Sequence, residues 1–161
     1  MNVAIDCTQV IIRKATMDDA QGMMLVNESE LPENYPLDVW QSVLFDPQHA
    51  SFVACNEKGD IIGYILTTVE FSFLSFTREA HVASFAVLNM YRGRGIGSRL
   101  MEASLDVVKS ERKIHTCHLN VRIDNDDAKR LYERHGFVVV NTKKGYYSDD
   151  TDAYIMRSYL R

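Results

Sequence analysis

The sequence predicts an α/β (α+β) fold of about seven strands and about four helices, in the order β α α β β β α β α β β. Two observations support this prediction. Apolar residues alternate with a period of two in some segments and recur every three to four residues in others. No repeat, low-complexity tract or linker interrupts the 161 residues, a length that suits one hydrophobic core. We therefore predict a single domain that spans residues 1–161.

The first part of the chain predicts a strand followed by two helices. Val10–Ala15 is apolar and β-branched, and Thr16 with Asp19 forms a capping-box signal for a helix that ends near Glu30. The segment "ELPENYPLDVW" then interrupts the helical pattern with two prolines. Apolar residues at helical spacing predict a second, short helix: Leu37, Trp40, Val43 and Leu44.

The middle of the chain predicts antiparallel strands. "SFVAC" and "IIGYILTTV" flank the turn "NEKGD", in which Gly59 is the turn glycine. An aromatic-rich loop follows, and His81–Leu88 is predicted as the next strand. We therefore expect one β-hairpin and a further hairpin arm in this region.

The last part of the chain predicts helix, strand, helix and two strands. "HLNVRI" alternates as a strand, and Gly136 is placed to end the second of these helices. "FVVV" and "AYIMRSYL" supply the final strands. The apolar face of the first helix comprises Leu100, Met101, Leu105 and Val108. The corresponding face of the second helix comprises Ala128, Leu131, Tyr132 and His135.

The composition is that of an ordinary globular protein with a small negative charge. Twenty-two acidic and eighteen basic residues give a net charge of −4, which argues against a broad nucleic-acid interface. No segment approaches the roughly 20 apolar residues of a membrane span, and Met1–Gln9 lacks the pattern of a targeting signal. We therefore predict a cytoplasmic protein without direct nucleic-acid or membrane binding. Cys7, Cys55 and Cys117 have no disulfide or zinc spacing, so we expect buried or incidental thiols.

The stretch "NMYRGRGIGSRLM" places three glycines between a predicted strand and a predicted helix. Bare backbone N–H groups at the positive end of a helix dipole form a site for phosphate oxygens. Two standard phosphate motifs do not fit, because a P-loop needs Lys-Ser/Thr after its last glycine and the dinucleotide fingerprint needs glycine where Ser98 stands. The alternative is a flexible turn with solvated arginines. The flanking strand and helix favour the anion site.

Two motifs resemble those of the GNAT acetyltransferase superfamily. Arg-x-x-Gly-x-Gly, at Arg92, Gly95 and Gly97, is similar to the acetyl-CoA pyrophosphate loop of that superfamily. "NDDAKRLYERHGF" is similar to its N-x-x-A-x-x-L-Y-x-x-x-G-F segment. The resemblance implies the GNAT acyl-CoA N-acyltransferase fold, a mixed and mostly antiparallel central sheet that is split by a bulge at "SFAV".

The resemblance also implies acetyl-CoA as the cofactor, bound where the sheet splits. Backbone groups of Phe85, Ala86 and Val87 are implied to bind the pantetheine arm as an added strand would, and Asn125 to reach the same arm. Tyr132 is implied as the acid that protonates the leaving sulfur, with a core aromatic as the alternative. The pyrophosphate is implied to bind one continuous loop: Arg92, Gly93, Arg94, Gly95, Ile96, Gly97 and Ser98.

The acceptor is predicted to be the α-amino group of a protein or peptide N-terminus. Its reference pKa is about 7.7–8.0, against about 10.4 for lysine, so the neutral amine forms more easily. "LPENYP" and "GYYSDDTDAYIM" resemble segments of archaeal and eukaryotic N-terminal acetyltransferase catalytic subunits, with ribosomal-protein alanine acetyltransferases as more distant kin. The resemblance implies substrate contacts from Leu31, Glu33 and Tyr35, and from Tyr146 or Tyr147 opposite. A proline-stiffened connector and an acidic solvated turn are the alternatives.

The general base is where the sequence departs from these relatives. They commonly carry Glu or His at the catalytic strand position of Asn120, and asparagine takes no proton at neutral pH. Glu33, His81 and His118 are the candidates, and the resemblance places His81 and Glu33 first; ordered water is a further route for the proton. We predict no metal site, because neither HExxH nor clustered Cys/His spacing occurs.

Two alternative functions are compatible with the same residues. The first is a GNAT enzyme that acetylates lysine side chains or small amines. The second is a non-catalytic module that binds acyl-CoA or a peptide, and the departure at Asn120 is its main support. For the enzyme that acts on N-termini, the resemblance also implies a ribosome-associated auxiliary subunit as a partner.

Overall fold

A seven-stranded sheet lies at the centre of the computed structural model, which describes residues 9–161. The strands are β1 Ile11–Lys14, β2 Phe52–Cys55, β3 Ile61–Ser72, β4 Thr77–Val87, β5 Thr116–Arg122, β6 Val138–Lys143 and β7 Ala153–Tyr159. The helices are α1 Ala20–Glu30, α2 Leu37–Phe45, α3 Ile96–Asp106 and α4 Asp126–Arg134. The sheet order is β1-β2-β3-β4-β5-β7-β6, and only β4 and β5 pair in parallel. The predicted fold class and element order are confirmed.

The predicted capping box begins the first helical segment. Thr16 N–H donates to Asp19 Oδ2 over 2.8 Å, and the 3₁₀ turn Met17–Asp19 leads into α1. Arg13 on β1 donates to both carboxylate oxygens of Asp19, each over 2.8 Å. The cap therefore also fastens the start of α1 to the edge of the sheet.

Helices cover both faces of the sheet. α1 and α2 pack on one face, where Met23, Trp40 and Tyr64 are fully buried. α3 and α4 pack on the opposite face, where Leu100 and Phe137 are buried. Burying each such side chain stabilises the fold by about 1.5–3 kcal/mol. The sheet is therefore the middle layer between two layers of helices, with one hydrophobic core on each face.

Two expectations from the composition can be compared with the structure. Within residues 9–161, no helix has the length and apolar character needed to cross a membrane. Cys55 and Cys117 are buried free thiols, as predicted, and Cys7 lies outside the described residues. Both thiols lie in strands that face the two cores, which accounts for their burial.

The β3–β4 hairpin is longer than the sequence predicts. Pairing continues out to Ser72 and Thr77, so β4 begins at Thr77 rather than at His81, and the predicted aromatic-rich loop is a short turn. The prediction was wrong because it ended the strand at Val69, although apolar and polar residues alternate on to Phe73. Pairing between the two strands forms this part of the hairpin, and its aromatic side chains remain exposed. Its exposed phenylalanines are Phe71, Phe73 and Phe76.

β4 carries the bulge that opens the sheet. Leu66 pairs with Ser84, whereas Thr67 pairs with Val82, so Ala83 is an extra residue in β4. The bulge lies one residue before the predicted "SFAV" segment, because the register against β3 decides its position. In the described chain, β4 pairs with β5 only as far as Val82. Beyond this point the two strands separate and a cleft opens between them.

A buried polar network supports β4 directly after the bulge. Asn27 Nδ2 on α1 donates to the Tyr64 hydroxyl over 3.0 Å, and that hydroxyl lies 2.6 Å from Ser84 Oγ. Burial raises the pKa of Tyr64 to about 12, so the phenol stays protonated at neutral pH. The network therefore fixes the strand behind the cleft to α1 and β3.

Candidate functional site

A cleft of about 870 Å³ opens where β4 and β5 separate. It extends from the glycine turn before α3 to the loop between α1 and α2 and the loop between β6 and β7. Of the residues that the sequence assigned to the cofactor, the substrate or catalysis, all line the cleft except Arg94 and the candidate base His118. Residues that are distant in sequence therefore meet in a single cavity large enough for two substrates.

The glycine turn forms an open N-terminus for α3. Gly93 and Gly95 have positive φ angles of 73° and 78°, and Gly95 is the N-cap residue. The first-turn N–H groups of Ile96, Gly97 and Ser98 have no carbonyl to bond within the helix. Together with the helix dipole, these bare amides suit an anionic ligand such as a diphosphate.

Gly97 has a different role from the other two glycines of the turn. A Cβ atom at this position would lie 3.1 Å from Leu131 Cδ1 on α4 and 3.1 Å from the Phe85 ring on β4. Because there is no Cβ, the start of α3 packs closely against both elements beside the cleft.

The two predicted phosphate-binding arginines have partners within the chain. Arg92 Nη2 donates to Glu30 Oε2 over 2.6 Å, and Arg92 Nε donates to the Val87 carbonyl over 3.0 Å. Glu30 also accepts the N–H of Asn89 over 3.0 Å. Arg94 lies with its guanidinium 6.0 Å from the Tyr91 ring centroid. Arg92 therefore joins the end of α1 to the glycine turn, and both arginines add positive charge beside it.

Arg122 joins the loop between α1 and α2 to the loop between β6 and β7, a role that the sequence did not predict. Its Nη1 donates to Glu33 Oε1 over 3.3 Å, and its Nη2 donates to Asp149 Oδ2 over 2.5 Å. The guanidinium carbon also lies 4.9 Å from the Tyr147 ring centroid. Arg122 lies two residues after Asn120 on β5, so the two-residue period of a strand would have placed both on the cleft face.

Tyrosine hydroxyls line the same side of the cleft. Burial raises the pKa of Tyr147 and of Tyr35, so both phenols remain protonated and can donate hydrogen bonds. Trp40 Nε1 donates to the Tyr35 carbonyl over 3.1 Å, which fixes the loop that also carries Leu31. This combination of rings and hydroxyls suits a short peptide segment.

Asn120 forms a hydrogen bond to a tyrosine of the loop between β6 and β7. Its Nδ2 donates to the Tyr146 hydroxyl over 3.1 Å. The Tyr146 and Tyr147 rings meet edge to face with centroids 5.0 Å apart. Asn120 therefore helps to position the tyrosine pair, a task that an amide performs and that needs no ionisation.

Tyr132 on α4 lies on the opposite wall, close to the bulged strand. The residue is only 7% exposed, and its ring centroid lies 6.1 Å from those of Phe85 and Phe137. Burial raises the pKa of its hydroxyl, so the group is a neutral donor at physiological pH. Asn125, on the same wall, caps α4 by accepting the N–H of Ala128 over 3.2 Å.

His81 and His118 form a stacked pair on adjacent strands. Their ring centroids lie 4.5 Å apart with an interplanar angle of 6°, and His81 Nδ1 lies 3.5 Å from Glu70 Oε1. Burial lowers the pKa of both rings, so both are neutral at pH 7. His81 lines the cleft and has the character of a proton acceptor. Strand pairing also brings Glu70, His81 and His118 together here. These are residue types that can bind a metal ion, and their spacing in the sequence did not predict the cluster.

Comparison with known proteins relates this architecture to one family. Residues 13–137 match the family described as "Acetyltransferase (GNAT) family". The N-alpha-acetyltransferase of Saccharolobus solfataricus is 38% identical over 90% of each chain. The N-terminal acetyltransferase A complex catalytic subunit of Arabidopsis thaliana is 33% identical over 94% of this chain and 79% of its own. The crystal structure of Ard1 from Thermoplasma volcanium superposes with a TM-score of 0.84, covering 95% and 99% of the two chains at 29% identity.

Proposed function

Because the chain belongs to the GNAT acetyltransferase family and is an acetyl-CoA-dependent N-alpha-acetyltransferase, we propose which residues of the cleft perform each part of this reaction. The observation that carries the proposal is the single cavity between an anion-binding turn and a tyrosine-lined loop pair. One end suits a diphosphate and the other a peptide. The neutral histidine and the buried phenol lie between them.

The cofactor side is built from the bulged strand and the glycine turn. Acetyl-CoA, when bound, supplies the thioester that the amine attacks. Backbone groups of Phe85, Ala86 and Val87, which have no β5 partner, bind its extended arm by strand addition. The amides from Gly93 to Ser98 bind the diphosphate, and the charges of Arg92 and Arg94 support them.

Gly95→Ala tests the anion site. A left-handed conformation costs an ordinary residue about 1–2 kcal/mol, so the turn is expected to distort and coenzyme A affinity to fall by about tenfold. Isothermal titration calorimetry measures this change. Gly59→Ala is the matched control, because Gly59 has φ 83° and equally open surroundings in a distant turn. Equal affinities in the two variants would contradict the assignment.

The peptide side receives the first residues of the substrate. Leu31 and Tyr35 on one loop and the Tyr146–Tyr147 pair on the other enclose the terminal side chain. Glu33, whose carboxylate Arg122 holds in place, attracts the α-ammonium group. The amine is thus delivered close to His81.

Proton transfer uses one acceptor and one donor. His81 takes the proton of the amine, directly or through water, while the nitrogen forms its bond to the acetyl carbon. Tyr132 donates its proton to the sulfur as the carbon–sulfur bond breaks. Backbone N–H groups after the bulge stabilise the negative charge that develops on the carbonyl oxygen.

Acidification is expected to reduce both activity and stability. Both histidines have pKa values below the ordinary 6.5, so activity is expected to fall below pH 6.5 as His81 takes up a proton. The unfolded chain binds these protons first, so the stability contribution is complete above pH 6.5 and is lost as the pH falls through the folded-state pKa. A kcat/KM profile and chemical denaturation between pH 5 and 8 measure the two effects. Protonation of the peptide amine alone gives log kcat/KM a slope of about one on the acid side, and His81 is expected to steepen it towards two. A slope that stays at about one down to pH 5 would contradict the role of His81.

Mass spectrometry of acetylated peptides tests the acceptor. Peptides with a free or a blocked N-terminus, each with an internal lysine, are expected to be modified only at the free α-amine. Modification of lysine alone would favour the lysine or small-amine alternative. Coenzyme A release in a thiol-trapping assay tests catalysis itself, and tight cofactor binding without turnover on a peptide panel would favour the binding module.

We also propose that residues 1–161 act as one catalytic domain in the cytoplasm, with an auxiliary subunit that positions it at the ribosome. Support for the subunit comes from the Arabidopsis thaliana relative, which is named as the catalytic subunit of a complex. Co-sedimentation of the chain with ribosomes from a native extract, before and after salt washing, tests this partner. The chain remaining free of ribosomes in extract would contradict it.

A further inference from the structure

Three potential metal ligands converge on the cleft face of the sheet: Glu70 on β3, His81 on β4 and His118 on β5. One ligand atom from each lies within 4.8 Å of the other two. Strand register creates the cluster, because His81 pairs with both Thr68 and His118, and Glu70 is two residues beyond Thr68 on the same face. The side chains of both histidines are 23% exposed, so an ion in solution can reach them.

One ring nitrogen of His118 has no hydrogen-bond partner within residues 9–161. Its Nδ1 is buried and has no hydrogen-bond partner in the described residues. The nearest carboxylate oxygen, Glu79 Oε2, is 3.7 Å away, and Glu79 already accepts from Arg157 over 3.0 Å. A buried nitrogen without a partner is costly, and coordination to a cation through a lone pair would remove that cost.

We propose that Glu70, His81 and His118 bind one divalent first-row transition-metal ion, with Zn²⁺ as the natural representative. Two imidazoles and one carboxylate form a ligand set that suits zinc and leaves a fourth position for water. The rings are now parallel, so binding turns at least one of them about its Cβ–Cγ bond to direct both nitrogens at one ion.

Metal binding at this cluster inhibits acetyl transfer, a consequence that rests on the function proposed above. The ion occupies a nitrogen of His81 and neutralises the charge of Glu70 beside it. The amine then loses its proton acceptor, while the glycine turn and its anion site are unaffected. Zinc is expected to reduce kcat and to leave coenzyme A affinity unchanged.

Cobalt spectroscopy tests the site without reference to activity. The chelator-treated full chain is titrated with Co²⁺, and the visible bands of tetrahedral cobalt are expected to saturate at one ion and to disappear on addition of Zn²⁺. His118→Gln and Glu70→Gln are expected to weaken binding at least tenfold. His135→Gln is the matched control, because His135 lies 3.6 Å from Glu102 and no third ligand joins them among residues 9–161. Absence of the bands in the wild type, or their persistence in His118→Gln, would overturn the site.

Acetylation of a peptide, followed by mass spectrometry, tests the inhibition. This readout detects the peptide product, so binding of zinc to the released thiol of coenzyme A does not interfere with detection. Loss of activity is expected to follow metal occupancy and to reverse with chelator, and full occupancy without inhibition would overturn the link to His81. If no acetylation occurs without metal, the proposed function fails, and the cobalt spectrum still decides whether the metal site exists.

Discussion

Arg122→Ala is expected to raise the KM for peptide by about 10- to 100-fold while coenzyme A affinity stays unchanged. Removal of one member of a hydrogen-bonded charge group leaves its partners without their counter-charge, so the segments that it joined lose their fixed positions. Here the change leaves Glu33 and Asp149 without their shared cation and removes the stacking on Tyr147. Both substrate loops then lose their common anchor.

Steady-state kinetics with varied peptide and saturating acetyl-CoA measures this effect. Arg122→Lys keeps the positive charge but loses the planar guanidinium group that donates to both carboxylates at once. Only part of the peptide affinity is therefore expected to return. Arg78→Ala is the matched control, because Arg78 is an exposed arginine whose hydrogen bond to Gln48 lies outside the cleft. If Arg122→Ala and Arg78→Ala have the same peptide KM, the loops do not depend on Arg122.

Tyr132→Phe is expected to lower kcat by about 100-fold, with coenzyme A affinity within twofold of the wild type. A positioned general acid typically contributes 10²–10⁴-fold, and only the hydroxyl is removed. The ring stays in contact with Phe85 and Phe137, so packing and stability are largely kept. Single-turnover kinetics isolates the chemical step from product release.

The matched control is Tyr154→Phe. Tyr154 lies on β7 with its ring 5.6 Å from Lys129 Nζ of α4, outside the cleft lining. Loss of that hydroxyl is expected to leave kcat unchanged. Should Tyr132→Phe retain wild-type turnover, the phenol serves packing alone and the leaving sulfur takes its proton from solvent.

The sequence predicted those parts of the site that depend on local backbone geometry. The glycine turn with bare N–H groups at the start of α3 follows from residues that are adjacent in the chain. The two-residue period of β5 likewise placed His118 and Asn120 on one face. Such features need no knowledge of the remainder of the fold.

Other features arise from contacts between distant segments, and the sequence could not reveal them. Arg122 meets Glu33 across 89 residues and Asp149 across 27, so no local pattern marks it as the anchor of both loops. The approach of His81 to His118 depends on the register of β4 against β5. The outer β3–β4 hairpin was missed because pairing between its two strands, and not burial of its exposed phenylalanines, forms it.

The extra residue Ala83 changes which side chains of β4 face each side of the sheet. Before it, Ala80 and Val82 point into the core beneath α3, whereas after it Phe85 and Val87 do so. An uninterrupted strand would keep one parity throughout, and Phe85 could not share a face with Val82. This half-period shift leaves His81 at the cleft before the bulge and the main chain of Phe85–Val87 without a β5 partner after it, while both segments pack on the same core. The delivery of the amine and the seating of the acyl carrier that we propose both depend on this shift.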